Sequence, residues 1–402
     1  MIDTREELVN ALNEAAELEH TLLVQYLFAA FSLKRNLDES LTELQQAKIM
    51  EWETVILGIA RQEMAHLGTV CNLLSSIGAA PNFSRPNFPQ KATKYYPIIS
   101  DFKLSRFSIE TLYRFICFEL PQGVEPPKYD LLKNVLTTEN LEMFRAPDPL
   151  EYNRVGNLYS QISDAFNKIP ESELFIGENT DQDTDDWNNR FKIYFVKDKS
   201  SAQKAIDEIV KEGEGIQDNR ENSHYDRFLK MWAEVNKISF DPSRNVVENP
   251  ATRIHRDSDN TFEINIILKE DTLKVAELFS SLYNTMILML IQYYSYSGET
   301  KEERTVLRDT LRNMMSAVIR PLAEILTQLP FSNDPTDLRR AGPSFEIYDQ
   351  LRLSPNKGNR WIILTERFYS DVEEAKKLLA IHPRIAFVAQ NIEWLATRFD
   401  NK

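Results

Sequence analysis

Cysteine is almost missing from this chain: Cys71 and Cys117 are the two among 402 residues. Two thiols set among apolar neighbours cannot build a disulfide framework, so a reduced, cytoplasmic setting is expected. Glycine is also scarce, at 11, and no Gly-rich phosphate loop, Walker motif or dinucleotide fingerprint occurs. Nucleophile-elbow and Cys/His hydrolase patterns are absent as well. Positive charge is in deficit: 47 Lys and Arg face 61 Asp and Glu, giving a net charge of −14 and a pI near 5.1. That balance argues against nucleic acid or an anionic membrane as the main partner. The opening residues, MIDTREELVNAL, lack a basic segment followed by an apolar one, so no secretory signal is expected. The most apolar stretch, Leu282 to Tyr296, carries Asn284 and Gln292 and is too short to span a bilayer, which predicts a buried helix.

Leu, Glu, Ala and Lys are plentiful, which favours helix over sheet and predicts an all-α fold. The expected organisation is a metal-binding bundle over 1–238, a Pro- and Asn-bearing linker over 239–262 and a helical region over 263–402. The first helix is expected from Thr4 to Lys34, with Leu8, Leu12, Ala15, Glu19, Leu22 and Tyr26 forming one stripe. The second should run from Leu41 to Ile77 with the stripe Trp52, Ile56, Ile59, Glu63, His66, Val70 and Leu73, ending at Gly78. Further helices are expected over 108–120, ending on Glu119 before Pro121, and over 151–169, 200–211 and onward from Glu221. In the second half they are expected over 271–297, 302–329, 371–380 and 384–399. The acidic run 177–186 imitates the start of a calcium loop at Asp181, Asp183 and Asp185. Asp186 stands where the turn glycine belongs and Lys192 where the bidentate acid belongs, so a solvated loop is expected.

Histidine numbers five, and three have a glutamate three residues upstream: Glu17/His20, Glu63/His66 and Glu221/His224. At that helical spacing a carboxylate and an imidazole project from one face and can grip one metal ion. A four-helix di-iron site takes one such pair from each of two helices and a lone glutamate from each of the others. Glu63 and His66 both sit on a core stripe, as do Glu221 and His224; Glu17 and His20 lie off theirs, leaving Glu19 to point inward. Burying such groups costs several kcal/mol unless a partner neutralises them, and a cation would. The ligand set on spacing is Glu19, Glu63, His66, Glu221 and His224, with Glu119, Glu151 and Glu214 competing to supply one more carboxylate. Carboxylate and imidazole donors suit iron or manganese. Tyr26 is the candidate catalytic residue, as a hydroxyl that orients a ligand, with plain core packing as the alternative. His20, His255 and His382 are expected in surface or structural roles.

With those residues in hand, the chain resembles the ferritin-like domain of the iminophenyl-pyruvate dimer synthase family. The resemblance rests on ELEHTLLVQYLFAAFSLK (17–34), RQEMAHLGTVCNLLSSIGAAPNF (61–83), FSIETLYRFICFELP, RVGNLYSQI, Gly213-Glu214-Gly215 and SHYDRF (223–228). It continues through LFSSLYNTMILML, Arg320-Pro321-Leu322-Ala323 and AGPSFEIY, and so covers most of the chain. That family includes enzymes that couple amino-acid-derived imines in violacein and indolocarbazole biosynthesis; this chain is similar to its shorter, stand-alone members. The resemblance implies a ferritin-like four-helix bundle with long loop excursions and metal positions at Glu19, Glu63, His66, Glu214 and His224, Glu221 being matched less closely. The chain departs from the family at Asn157, where an acidic residue is usual; if that position supplies a bridging carboxylate, the site here is altered, or Glu119 or Glu151 substitutes. Family members have been associated with haem as well as non-haem iron, and the sequence identifies no axial haem ligand.

The expected function is therefore that of a non-haem, di-iron oxidoreductase using O2 or peroxide on a small organic substrate, an amino acid or an imine derived from one. One alternative is a protein that handles iron or peroxide without an organic substrate, as rubrerythrins and ferritins do. A second is a helical interaction protein with a degenerate site, for which Asn157 speaks. Association into a homo-oligomer is left open by the sequence.

Overall fold

The structure, a computed structural model, describes residues 2–91, 101–121, 124, 155–178, 182–183, 192–213, 215, 220–254, 264–296, 298–348 and 351–400. Helix dominates. Sheet among these residues is confined to two short ladders, antiparallel β1 (Gln90–Lys91) with β2 (Asp101–Phe102) and parallel β3 (Pro250–Ala251) with β4 (Asn265–Ile266).

The two long helices α1 (Arg5–Ser32) and α2 (Glu43–Ser76) form a hairpin with the most extensive interface in the molecule. Each starts at a capping box, Thr4 with Glu7 and Thr42 with Gln45, which satisfies backbone N–H groups that a helix start leaves unpaired. Their interiors are buried on every side. Leu18 through Tyr26 of α1 and Ala65 through Ser76 of α2 are continuously buried, as expected of helices packed between two layers. One layer holds α3 (Ile109–Phe118), α4 (Val155–Lys168), α5 (Lys199–Gly213) and α6 (His224–Val235); of these, α3 packs on α6 and α4 on α5. The other holds α7 (Glu270–Ser295), α8 (Lys301–Met314), a π turn (Met315–Ile319) and α9 (Arg320–Leu326). Outside α7 lie α10 (Lys357–Lys377) and α11 (Ile385–Thr397).

Four expectations need correction. The helix expected over 302–329 is interrupted by the π turn at 315–319. The helix expected to begin at 371 begins at Lys357, because Asn356 caps it and Gly358 falls in its first turn, where a glycine ends nothing. The acidic loop is not solvated throughout: Gln182 and Asp183 are buried, and Asn72 both donates to the Asp183 carbonyl and accepts from its N–H. Asp181, Asp185 and Asp186 lie outside the described residues. Finally, α7 has 26 residues and is long and apolar enough to cross a membrane by length and composition, yet 78% of its most apolar window is buried in this molecule. Burial of most of that window by protein makes it a core helix here.

Candidate metal centre

Glu63 lies at the middle of the site. Its Oε2 is 3.0 Å from Nδ1 of His66, one helical turn further along α2, and its Oε1 is 2.8 Å from Nδ1 of His224. The two imidazoles stack at 5.5 Å between ring centroids, 27° from parallel, so one carboxylate faces both. Glu19 of α1 closes the His66 side at 3.6 Å, and Glu119 closes the His224 side at 3.6 Å. The donors thus form two adjoining groups, Glu19–Glu63–His66 and Glu63–Glu119–His224, each with ligand atoms within 4.8 Å of one another. All five residues are buried.

Local sequence explains each placement. Glu63 and His66 are i, i+3 within α2, so their side chains share one face. Glu119 is the C-terminal cap of α3, its N–H still donating to Phe115, because Pro121 ends the helix just beyond it. His224 is the first residue of α6, and Ser223 caps that helix by accepting from the Asp226 N–H.

Neighbouring groups fix the ligands. The Tyr26 hydroxyl donates to Glu119 Oε1 and the Tyr159 hydroxyl to Glu19 Oε1, both at 2.5 Å. Nε2 of His66 lies 3.0 Å from Glu212 Oε2, which orients the ring so that Nδ1 faces Glu63. Tyr26 is in turn wedged by Phe115 and Phe228, at 4.6 and 5.0 Å between centroids. Gly213, at the end of α5, lets that helix approach closely: a Cβ there would lie 3.2 Å from Glu119 Oε2.

The electrostatics are those of acids and bases sharing protons. Burial and then the charge of Glu63 push the Glu19 carboxyl up to about 8. Burial works against ionisation of Glu63 too, but the imidazolium charges of His224 and His66 outweigh it and hold Glu63 well below the usual carboxylate range. The two imidazoles move the other way: burial disfavours their charged forms, yet Glu63 leads a set of acids that raises both. Glu119 is raised by burial and by Glu63.

The donor set fits a metal. Both ring nitrogens of His224 are buried with no hydrogen-bond partner among the described residues, although Nδ1 lies 2.8 Å from Glu63 Oε1. Close approach without hydrogen-bond geometry is what two lone pairs aimed at a common cation produce. A narrow cavity of about 20 Å3 adjoins the cluster, walled by Gly156 and Tyr159 of α4 and Ile209 and Val210 of α5.

Of the candidate site residues read from the sequence, the structure brings together Glu19, Glu63, His66, Glu119 and His224, with Tyr26 bonded to one of them. Glu221 is corrected. It is exposed in the turn before α6, because the cap at Ser223 starts the helix three residues later than expected and breaks the Glu221/His224 spacing. Glu214 and Glu151 lie outside the described residues, as does His255. Asn157 is half-buried on α4, two residues before Tyr159. His20 is buried and bonded to Tyr283, and His382 accepts from the Arg384 N–H, both structural placements. Neither cysteine belongs to the cluster; burial pushes the Cys117 thiol up to about 12. Sequence reading missed Glu212 and Tyr159. Both continue stripes that were visible, Ala202–Ala205–Ile209–Glu212 and Val155–Tyr159–Ile162, and a polar residue on such a stripe was the available signal.

Comparison with known proteins places these residues in context. A family model described as Ferritin-like matches residues 12–233, a span that contains every residue of the cluster. Over 442 aligned residues the chain is 26% identical to dichlorochromopyrrolate synthase of Lentzea aerocolonigenes, covering 99% of this chain and 41% of that protein. Over 362 it is 24% identical to 2-imino-3-(indol-3-yl)propanoate dimerase of Chromobacterium violaceum, covering 82% of this chain and 33% of that protein. The chain therefore spans less than half the length of either curated relative. Among solved structures, a ferritin like protein from Caulobacter vibrioides is similar with a TM-score of 0.47 at 18% identity, over 77% of this chain and 93% of that one.

Proposed function

Because the chain belongs to the Ferritin-like family, we propose that it is a metal-dependent oxidoreductase with a dinuclear, non-haem iron centre. Its substrate would be a small amino acid or amino-acid-derived imine, and O2 or peroxide the oxidant. One observation carries the reading: a single buried carboxylate, Glu63, faces two imidazoles through its two oxygens, with one further acid on each side. Two adjoining donor groups of this kind could hold cations, as the carboxylate and imidazole sets of bundle sites do. The substrate class is taken from the names of the curated relatives, one a 2-imino-3-(indol-3-yl)propanoate dimerase and the other a dichlorochromopyrrolate synthase.

Glu19, Glu63, His66, Glu119 and His224 would hold the metals. Iron bound there would supply one-electron chemistry toward O2 or peroxide. The chain's own contribution is fourfold. Glu212 holds the His66 ring in one orientation, Tyr26 and Tyr159 hold Glu119 and Glu19 in theirs, and Phe115 and Phe228 keep water from that side. Glu19, pushed up by burial to about 8, would carry a proton that cation binding displaces, and burial moves Glu119 in the same direction.

The narrow cavity favours a second reading. At about 20 Å3 it admits little more than one water-sized molecule, which suits peroxide or O2 handled without an organic partner. Metal analysis of aerobically purified protein tests both readings: two irons per chain with a near-UV charge-transfer band are expected. Fewer than one transition-metal ion per chain, with no such band, overturns them. Oxidation of an amino-acid-derived imine separates the first reading from the second.

A further inference from the structure

Arg227 lies one helical turn beyond His224 on α6, so the two side chains leave the same face of that helix. It stands in the field of three acids of the metal-ligand cluster and its surround, Glu119, Glu63 and Glu212. Yet its hydrogen bonds go to neutral oxygens: Nη2 donates to Gln62 Oε1, and Nε donates at 3.4 Å to the Ser223 carbonyl. Gln62 sits on α2, one turn before His66, and its side chain also hydrogen-bonds Glu212. Glu212, in the last turn of α5, reaches Nε2 of His66 at 3.0 Å. Arg227, Gln62, Glu212 and His66 therefore form one chain of contacts that joins α6, α2 and α5.

The polarity of that chain is set at its Arg227 end. A guanidinium can only donate, so Gln62 presents its carbonyl oxygen to it. The amide nitrogen is then the end left for Glu212, and it too can only donate. An ionised carboxylate only accepts, so Glu212 takes a hydrogen from Gln62 on one side and from His66 Nε2 on the other. The His66 hydrogen thus stays on Nε2, and Nδ1 is the nitrogen turned to Glu63 and Glu19, at 3.0 and 3.6 Å. Exposure shows why Glu212 needs a second donor. Its side chain is 35% exposed, against 6% for His66. A long carboxylate so open to water has the rotamer freedom to leave its partner, and solvent weakens the pair. Gln62 restrains it, and Arg227 keeps Gln62 from turning its oxygen toward the carboxylate.

We infer that Arg227 and Gln62 are positioning residues for the metal centre: they hold Glu212, and through it the His66 ring, with Nδ1 offered to the cation. The effect on cation binding rests on the metal reading, whereas the placement of the ring hydrogen does not.

Two variants set this role against a plain effect of charge. Gln62→Glu keeps the shape and still accepts from Arg227, but it offers Glu212 no N–H and adds a negative charge. Arg227→Met removes a positive charge and frees the Gln62 amide to turn. As changes of charge alone, both would tighten the binding of a cation. As breaks in the chain, both should weaken it about tenfold, the low end of what a supporting hydrogen bond is worth to a metal ligand. Zinc titration of the chelator-stripped full chain, in competition with a chromogenic chelator, reads that difference. Histidine-selective 15N NMR of the zinc-free chain, followed to the pH at which the ring is neutral, reads the ring itself. The hydrogen should sit on Nε2 of His66 in wild type, and both variants should show a mixture of the two tautomers. Zinc affinity that is unchanged or raised in both variants overturns the inference. A wild-type ring with its hydrogen on Nδ1 does so too, as does one whose tautomer both variants leave unchanged. Failure of wild type to bind zinc, with the tautomers as expected, sinks the metal reading alone.

Discussion

Glu63 is the residue on which the cluster turns, because it is the one acid shared by both donor groups. His66→Ala removes one imidazole and leaves its acids crowded. Wild type should gain about 2.7 kcal/mol of stability from metal present at a hundredfold its dissociation constant. The His66→Ala protein should gain none, as read by melting temperature with and without chelator. Tyr26→Phe is milder: it deletes the donor to Glu119 and keeps the ring between Phe115 and Phe228. Metal affinity should fall about 10- to 100-fold with a stability change near 1 kcal/mol, measurable by competition with a chromogenic chelator. Protons give a third test at this scale. Glu19 holds its proton up to about 8, against an unfolded value of 4.5, so between those limits the folded chain binds a proton that the unfolded chain has released. Stability of the chelator-treated protein therefore declines as pH rises across that window. His66 and His224, raised from 6.5, add to the decline above that value as they lose their charge. Glu63 acts oppositely at the acid end, where its stabilisation is lost below 4.5. Metal replaces these protons, so the loaded protein should not show the decline. Isothermal titration in buffers of different ionisation heat should report proton release on binding.

At the scale of elements, helix starts decided which residues could act together. Threonine and serine caps fixed α1, α2, α3 and α8 close to where periodicity placed them. The same device misled at α6: periodicity carries the stripe back to Glu221, but Ser223 is the better cap and Asn222 is left-handed at φ +66°, so the helix begins at His224. The π turn could not be read at all, since five residues of MSAVI fit an α-helical pattern as well. Gly68 shows the opposite case, a residue of no apparent periodic meaning that fixes how closely two elements pack. A Cβ there would lie 2.7 Å from Ile193 Cδ1 and 3.2 Å from the Tyr294 hydroxyl. Gly68→Ala should destabilise the protein by about 1–3 kcal/mol, despite alanine's better helix propensity, as overpacking does. A rise in denaturation midpoint would refute that account.

At the scale of the whole molecule, the α1–α2 hairpin serves two layers at once, and an ion-pair network ties the later one to it. Glu324 of α9, buried, faces Arg35 after α1, Arg320 in its own helix and Arg384 before α11; Glu53 of α2 holds Arg35 and Arg320. Glu324→Ala leaves Arg35 and Arg384 short of their acid. It should cost about 3 kcal/mol by denaturant unfolding, with iron content unchanged, because the network lies away from Glu63. The sequence alone determined the all-α character and the length of the two central helices. It also placed Glu19, Glu63 and His66 on apolar stripes of those helices, since these follow from composition and period along the chain. Only the tertiary structure decided that Glu119, from a helix that contributes no histidine, closes the His224 side, and that Glu221 stands outside. It alone decided, too, that Glu212 and Tyr159 support the ligands and that His20 is buried against Tyr283. Those are facts about distance between segments remote in sequence, and periodicity fixes the direction of a side chain from its own helix without fixing what meets it there.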